Sequence, residues 1–263
     1  MLVFSAIVPH SPLLLPSIGK KNQGKLKKTL TAYQKLEEDL YVSKPETIII
    51  FSPHGTSLPE AFSINLAQNY ETNLAEFGDF GTKLKFPPDT MLIERLRRHL
   101  QEEKDLPVTL CTDQFLDYAS TVPAALLTNH LQNVSLIPIY DSGLSLKKHF
   151  EFGQALQEEI IKDKKRVAVI ASADLSHRLT DKAPGGFSPE GKKFDDAVVA
   201  CLNEGNVKGI LALEKDITEA KACGLKTITM LLGALDKINC SPELLSYEGP
   251  FGVGYLVVKF KLP

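Results

Sequence analysis

Several things are scarce in this chain, and each scarcity removes a class of explanation. Among 263 residues there are only four cysteines, Cys111, Cys201, Cys223 and Cys240, and no two form a CxxC pair. That spacing argues against a structural zinc knuckle and against a secreted disulfide framework, so a reducing cytoplasm is the expected setting. No stretch approaches the roughly 20 apolar residues that a membrane-crossing helix needs, so no membrane association is expected. The apolar start, MLVFSAIVPHSPLLLP, has no basic leader and is interrupted by prolines at 9, 12 and 16, so it reads as a buried strand and not as a signal peptide. An excess of charge of one sign is also missing. The net charge is −2 and the isoelectric point near 6.3, which gives nucleic acid or an anionic membrane no general electrostatic reason to bind. No Gly-rich phosphate loop or dinucleotide fingerprint is present, and G-x-S-x-G is absent, which leaves Ser176 little support as a nucleophile.

What remains is an ordinary globular composition, 43% apolar and 24% charged, with no internal repeat and no low-complexity segment. Leu2–Val8, Thr47–Phe51, Val134–Tyr140 and Val167–Ser172 are near-continuous apolar runs of the kind buried on both faces of a sheet. Phe62–Leu66 and Val253–Phe260 alternate more and suggest edge or antiparallel strands. Helical patterns cover Asn22–Leu40, Thr90–Glu103, Leu146–Lys162, Pro189–Asn203 and Glu219–Leu235. The alternation predicts an α/β fold: one domain over 1–263, with a central mixed, mostly parallel sheet and helices on both faces. The Gly- and Pro-rich stretches Gly78–Gly81, Ala183–Pro189 and Glu248–Gly254 are too short for interdomain linkers and read as rim loops.

Three of the six histidines share a context. His10 follows the first strand in VPHSP, His54 follows the second in SPHG, and His177 follows the strand Val167–Ser172 in ADLSH. Carboxyl ends of parallel strands collect at one edge of an open sheet, where ligands bind, so the three imidazoles are expected to converge. Neutral imidazole is a common metal ligand, and an additional histidine can act as acid or base. The competing reading for any one of them is a loop or capping residue. His99, His130 and His149 lie in charged helical stretches and are expected at the surface. Asp174 either orients an imidazole or caps a helix, and Asp117 is either a site residue or a turn former. A two-histidine site needs a further donor. Glu219 and Cys223, four residues apart at the start of one expected helix, would share a face, although the first could be only a first-turn acid and the second only a small buried side chain.

The ordered set PHSPLLLPSIG, KPETIIIFSPHG, ASADLSHRL, FDDAV, CGLKTITMLLGALD and LSYEGPFGVGY runs from the beginning to the end of the chain. It resembles the LigB-like family, the catalytic subunits of class III extradiol ring-cleavage dioxygenases, and more closely the LigB-like domain of AmmeMemoRadiSam system proteins, with the Memo proteins as more distant relatives. The resemblance implies a non-haem Fe(II) dioxygenase acting with O2 on a catechol-like or other small aromatic substrate. It implies His10 and His54 as metal ligands and His177, with Asp174 beside it, as the acid–base group. It also implies a homodimer and AmmeMemoRadiSam partner proteins.

Two positions depart from that pattern. Ala222 stands where relatives often carry the ligand Glu before Cys-Gly, and Asp117-Tyr118-Ala119 stands where they often carry Asp-His-Gly. Memo-type proteins use a Cys at the Cys-Gly step, which makes Cys223 the third ligand and Glu219 the fallback, with Zn or Cu then as alternatives to Fe(II). Tyr118 and Asp117 become the substrate-contacting pair. A Memo-like metal-binding protein without dioxygenase activity, a metal-free scaffold and a zinc hydrolase using Asp174 and His177 are the competing functions.

Overall fold

A computed structural model describes residues 1–263. In chain order the elements are β1 (Leu2–Val8), α1 (Pro16–Gly19), α2 (Lys27–Ser43), β2 (Thr47–Ser52), β3 (Phe62–Asn65), β4 (Tyr70–Thr72), β5 (Lys85–Phe86) and α3 (Thr90–Arg98). They continue with β6 (Val108–Cys111), β7 (Phe115–Leu116), α4 (Tyr118–Leu127), β8 (Ser135–Tyr140), α5 (Leu146–Lys162) and β9 (Val167–Ser172). The last part holds α6 (Pro189–Asn203), α7 (Val207–Ala212), α8 (Ile217–Ala220), α9 (Leu225–Ala234), β10 (Ser241–Glu248) and β11 (Tyr255–Lys261).

Eight strands form one sheet in the order β10-β11-β1-β9-β2-β8-β3-β6, and β4, β5 and β7 form a small second sheet. The pairs β1/β9, β9/β2, β2/β8 and β3/β6 are parallel, and the β10–β11–β1 end and the β3/β8 pair are antiparallel. The expected mixed, mostly parallel α/β sheet is therefore present. Successive strand residues divide between two apolar cores. Ile49, Phe51, Val167, Val169 and Ala171 enter one core with α5, α6 and α9, whereas Ile48, Ile50, Ala168 and Ile170 enter the other with α2 and α4. Period-2 alternation puts neighbouring side chains on opposite faces, so an all-apolar strand requires cover on both, and the helices supply it.

Several expectations need correction. The Glu219–Leu235 helix is two elements: α8 ends at Ala220, Lys221 takes a left-handed φ of 50°, and α9 starts only at Leu225. Glu219 and Cys223 are thus not on one helical face. The segment preceding Lys27 is 3-10 helix, so α2 starts later than the periodicity predicts. β11 is antiparallel to both neighbours, one of the two expected alternatives, and is not an edge, because β10, whose pattern was not apparent in the sequence, lies outside it. His99 and His149 are not surface residues. They are 2% and 0% exposed, with His99 between the carboxylates of Glu103 and Glu158 and His149 between Ser142 N–H and the Ser145 carbonyl. The charges near His99 conceal its burial because they are the ring's own partners, whereas His149 satisfies its ring nitrogens with neutral backbone groups. His130 is exposed, as expected.

No helix is long and apolar enough to cross a membrane.

Candidate metal centre

The parallel strands β1, β9 and β2 are adjacent, so their carboxyl ends lie side by side. Two residues past each end stand His10, Asp174 and His54. Asp174 sits between the two histidine turns for this reason alone: Val8 pairs with Ser172, and Ala171 with Phe51. The His10 and His54 ring centroids are 5.0 Å apart and nearly perpendicular. Cys223, from the segment between α8 and α9, places Sγ 3.5 Å from His10 Nε2. Donor atoms of His10, His54 and Cys223 all lie within 4.8 Å of one another.

Hydrogen bonding decides which atom of His10 faces this group. The Ser172 hydroxyl donates to the Ala119 carbonyl at 2.6 Å. Its 2.9 Å contact with His10 Nδ1 must then be one in which Nδ1–H donates. Nε2 is left with its lone pair toward Cys223. Burial, and then the neighbouring His177, lower His10 to about 3, so the ring is neutral and able to bind a cation. Partial burial, and then His10, lower His54 to about 4. Burial, and then the Asp174 carboxyl, raise the Cys223 thiol well above its ordinary value, so it becomes a thiolate only with a cation beside it. Two neutral imidazoles and a thiol that needs a cation form a donor set suited to a first-row metal ion.

The supporting residues are specific. Asp174 Oδ1 accepts the His10 backbone N–H at 2.9 Å, and Oδ2 lies 3.7 Å from His10 Nε2. Tyr33 donates its hydroxyl to the Pro9 carbonyl. Asp117 caps α4 by accepting the Ala119 and Ser120 N–H groups, and it also accepts the Ser52 hydroxyl at 2.6 Å, which in turn accepts His54 N–H. Asp117 therefore both forms a turn and ties the His54 loop to α4. Tyr118 stacks on His54 at 4.7 Å and meets His10 edge-on at 5.7 Å. His177 Nδ1 donates to the Leu175 carbonyl at 3.0 Å, which leaves Nε2 as the free basic atom. His177 stands outside the three-donor group but near enough that its charge lowers both other histidines.

Glu219 is not part of this arrangement. Its side chain is 56% exposed and bonded to Arg178 at 2.7 Å and to Ser188. The break after Ala220 turns it away from Cys223, so the fallback ligand is withdrawn. Sequence reasoning missed Ser172. A hydroxyl ending an otherwise apolar strand was the available signal.

The sequence pattern of the catalytic LigB subunit of aromatic ring-opening dioxygenase matches residues 5–258. The chain belongs to the LigB family. Protein CA_C1420 of Clostridium acetobutylicum is 28% identical over 265 residues, which covers 97% of this chain and 56% of that protein. This LigB-family chain thus spans about half the length of that relative. The 2-aminophenol 1,6-dioxygenase beta subunit of a Pseudomonas species is 22% identical, covering 99% of this chain and 94% of the relative. The crystal structure of uncharacterized protein JW3007 from Escherichia coli K12 superposes with a TM-score of 0.68 at 18% identity, covering 98% of this chain and 99% of the other, which speaks to the fold alone.

Proposed function

We propose that His10, His54 and Cys223 hold a first-row metal ion, and that with Fe(II) the site opens a catechol-like or other small aromatic ring. The observation that carries this reading is the 4.8 Å cluster of donors at the ends of β1 and β2 and ahead of α9. When bound, Fe(II) would supply open positions for the paired oxygens of a substrate and for O2. The chain's own residues do the rest. His10 presents a fixed Nε2 lone pair, and His54 a neutral imidazole beside it. Tyr118 backs His54 with its ring face and offers a phenolic hydroxyl to a substrate oxygen. His177, with Nε2 free, takes a proton from one substrate hydroxyl and returns it later. Asp174 positions the His10 turn through the backbone.

The test is anaerobic reconstitution with Fe(II), followed by O2 uptake over a panel of catechols and aminophenols. Turnover that disappears in His177→Ala while iron content holds supports the assignment. Silence across the panel with iron bound overturns it.

A second reading is favoured by the thiol in place of a carboxylate ligand, with Ala222 and Tyr118 at the two departing positions. In it the protein is a Memo-like metal-binding protein that carries Zn or Cu without oxygenase activity, in a radical-SAM-linked system. Copper or zinc retained at one equivalent after purification, with no O2 uptake after iron loading, decides for it.

A further inference from the structure

β10 is one of the two terminal strands of the large sheet, and among the other elements its backbone pairs with β11 alone. A groove of about 890 Å³ is lined by Leu244–Glu248 of β10 and by the start of α2. The wall formed by α2 and the turn before it carries Lys25, Lys27, Lys28 and Lys35. Of these only Lys35 has an ion-pair partner, Glu243, while Lys25 lies over the Phe251 ring. The one carboxylate lining the groove, Glu248, is already engaged by the Thr29 N–H and hydroxyl. A chain whose net charge is −2 therefore concentrates unneutralised ammonium groups along a free strand edge.

We propose that the groove receives an acidic polypeptide segment, which lies beside β10 as an added strand with its carboxylates against these lysines. The open edge supplies backbone donors and acceptors at the spacing of a peptide, which nucleic acid does not match. The lysines supply the preference for acid. A second copy of this chain is the wrong occupant, because symmetric pairing of β10 with itself brings two lysine arrays together. The site is also well placed to matter. β10 leads into the Gly249–Gly254 loop, whose Gly252 and Gly254 bond to Leu179, Leu175 and Ser176 around His177. A docked strand would therefore lie beside the rim of the metal centre.

The probe is a fluorescent octapeptide of alternating Glu and Val, titrated against the full chain by anisotropy. Two controls accompany it: the same peptide with backbone N-methylation on alternate residues, and an oligo-dT of similar charge. Binding by the Glu–Val peptide should weaken at least tenfold on N-methylation and at least tenfold in Lys27→Glu/Lys28→Glu. It should also weaken on raising salt from about 50 to about 300 mM. The charge-reversed protein should keep the wild-type melting temperature and metal content, since both lysines are exposed. No binding of the Glu–Val peptide overturns the proposal. So does equal binding of the N-methylated peptide or of oligo-dT, which would make the groove a general polyanion surface. Self-association that Lys27→Glu/Lys28→Glu strengthens would also overturn it, by assigning the edge to a second copy.

Discussion

The Ser172 hydroxyl stands between Nδ1 of His10 and the Ala119 carbonyl, at 2.9 Å from the first and 2.6 Å from the second. Because it must donate to the carbonyl, it accepts from the ring. This one contact sets the tautomer that turns a lone pair toward Cys223. Ser172→Ala should leave Nδ1–H and the Ala119 carbonyl without their shared partner. Metal affinity should drop roughly 10–100-fold, the range for a residue that orients a ligand. Metal titration by calorimetry measures it, and unchanged affinity would contradict the tautomer argument.

Cys223→Ser should reduce metal affinity by more than Ser172→Ala does, because it removes a donor and not its support. Cobalt(II) substitution offers a direct check. The wild type should show a sulfur-to-metal charge-transfer band that the serine variant lacks, and a band that persists would exclude the thiolate ligand.

Gly224 explains why Cys223 can reach the site. Its N–H donates to the Asp174 carbonyl at 2.9 Å, and a Cβ there would lie 2.5 Å from Ala173 Cβ and 2.7 Å from that same carbonyl oxygen. Gly224→Ala should cost about 1–3 kcal/mol of stability as an overpacked contact. Metal affinity should fall with it, as the start of α9 moves away from β9. Gly24→Ala, where a Cβ meets nothing within 4 Å, serves as the control and should be close to neutral. Urea denaturation with parallel metal analysis distinguishes the two.

Asp195, fully buried, accepts the Tyr247 hydroxyl and the Ser176 N–H. Burial, outweighing these two hydrogen bonds, raises its carboxyl from 3.8 to about 6, with Asp196 and Lys192 acting in opposite directions. Between those values the native state keeps a proton that the unfolded state has released. This carboxyl's contribution therefore favours folding below about pH 4 and is lost as pH rises to about 6, a change on the order of 2–3 kcal/mol. Asp195→Asn keeps an acceptor for Ser176 N–H and cannot ionise. Relative to the wild type it should gain stability across that window, and parallel pH profiles of the melting temperature would expose a mistaken sign.

Much of the fold was legible in the chain. Leu2–Val8, Thr47–Ser52, Ser135–Tyr140 and Val167–Ser172 are apolar at nearly every position, and only a sheet covered on both faces accommodates that pattern. The placement of His10 and His54 just past two such strands was legible for the same reason. Tyr70–Thr72, Lys85–Phe86 and Phe115–Leu116, two or three residues each, are too short to carry a period, and they were missed, whereas the four-residue β3 fell within the expected Phe62–Leu66 strand.

The sequence by itself determined the layered α/β architecture, the histidines at strand ends and the ordered motifs of the LigB family, because periodicity and motif order are local properties of the chain. Tertiary structure alone decided that β9 lies between β1 and β2, that Cys223 and not Glu219 faces His10, that His99 and His149 are buried, and that β10 ends the sheet with its edge open. Strand order and helix breaks depend on contacts between residues far apart in the chain, and the short local patterns of a single sequence do not encode which distant partner wins.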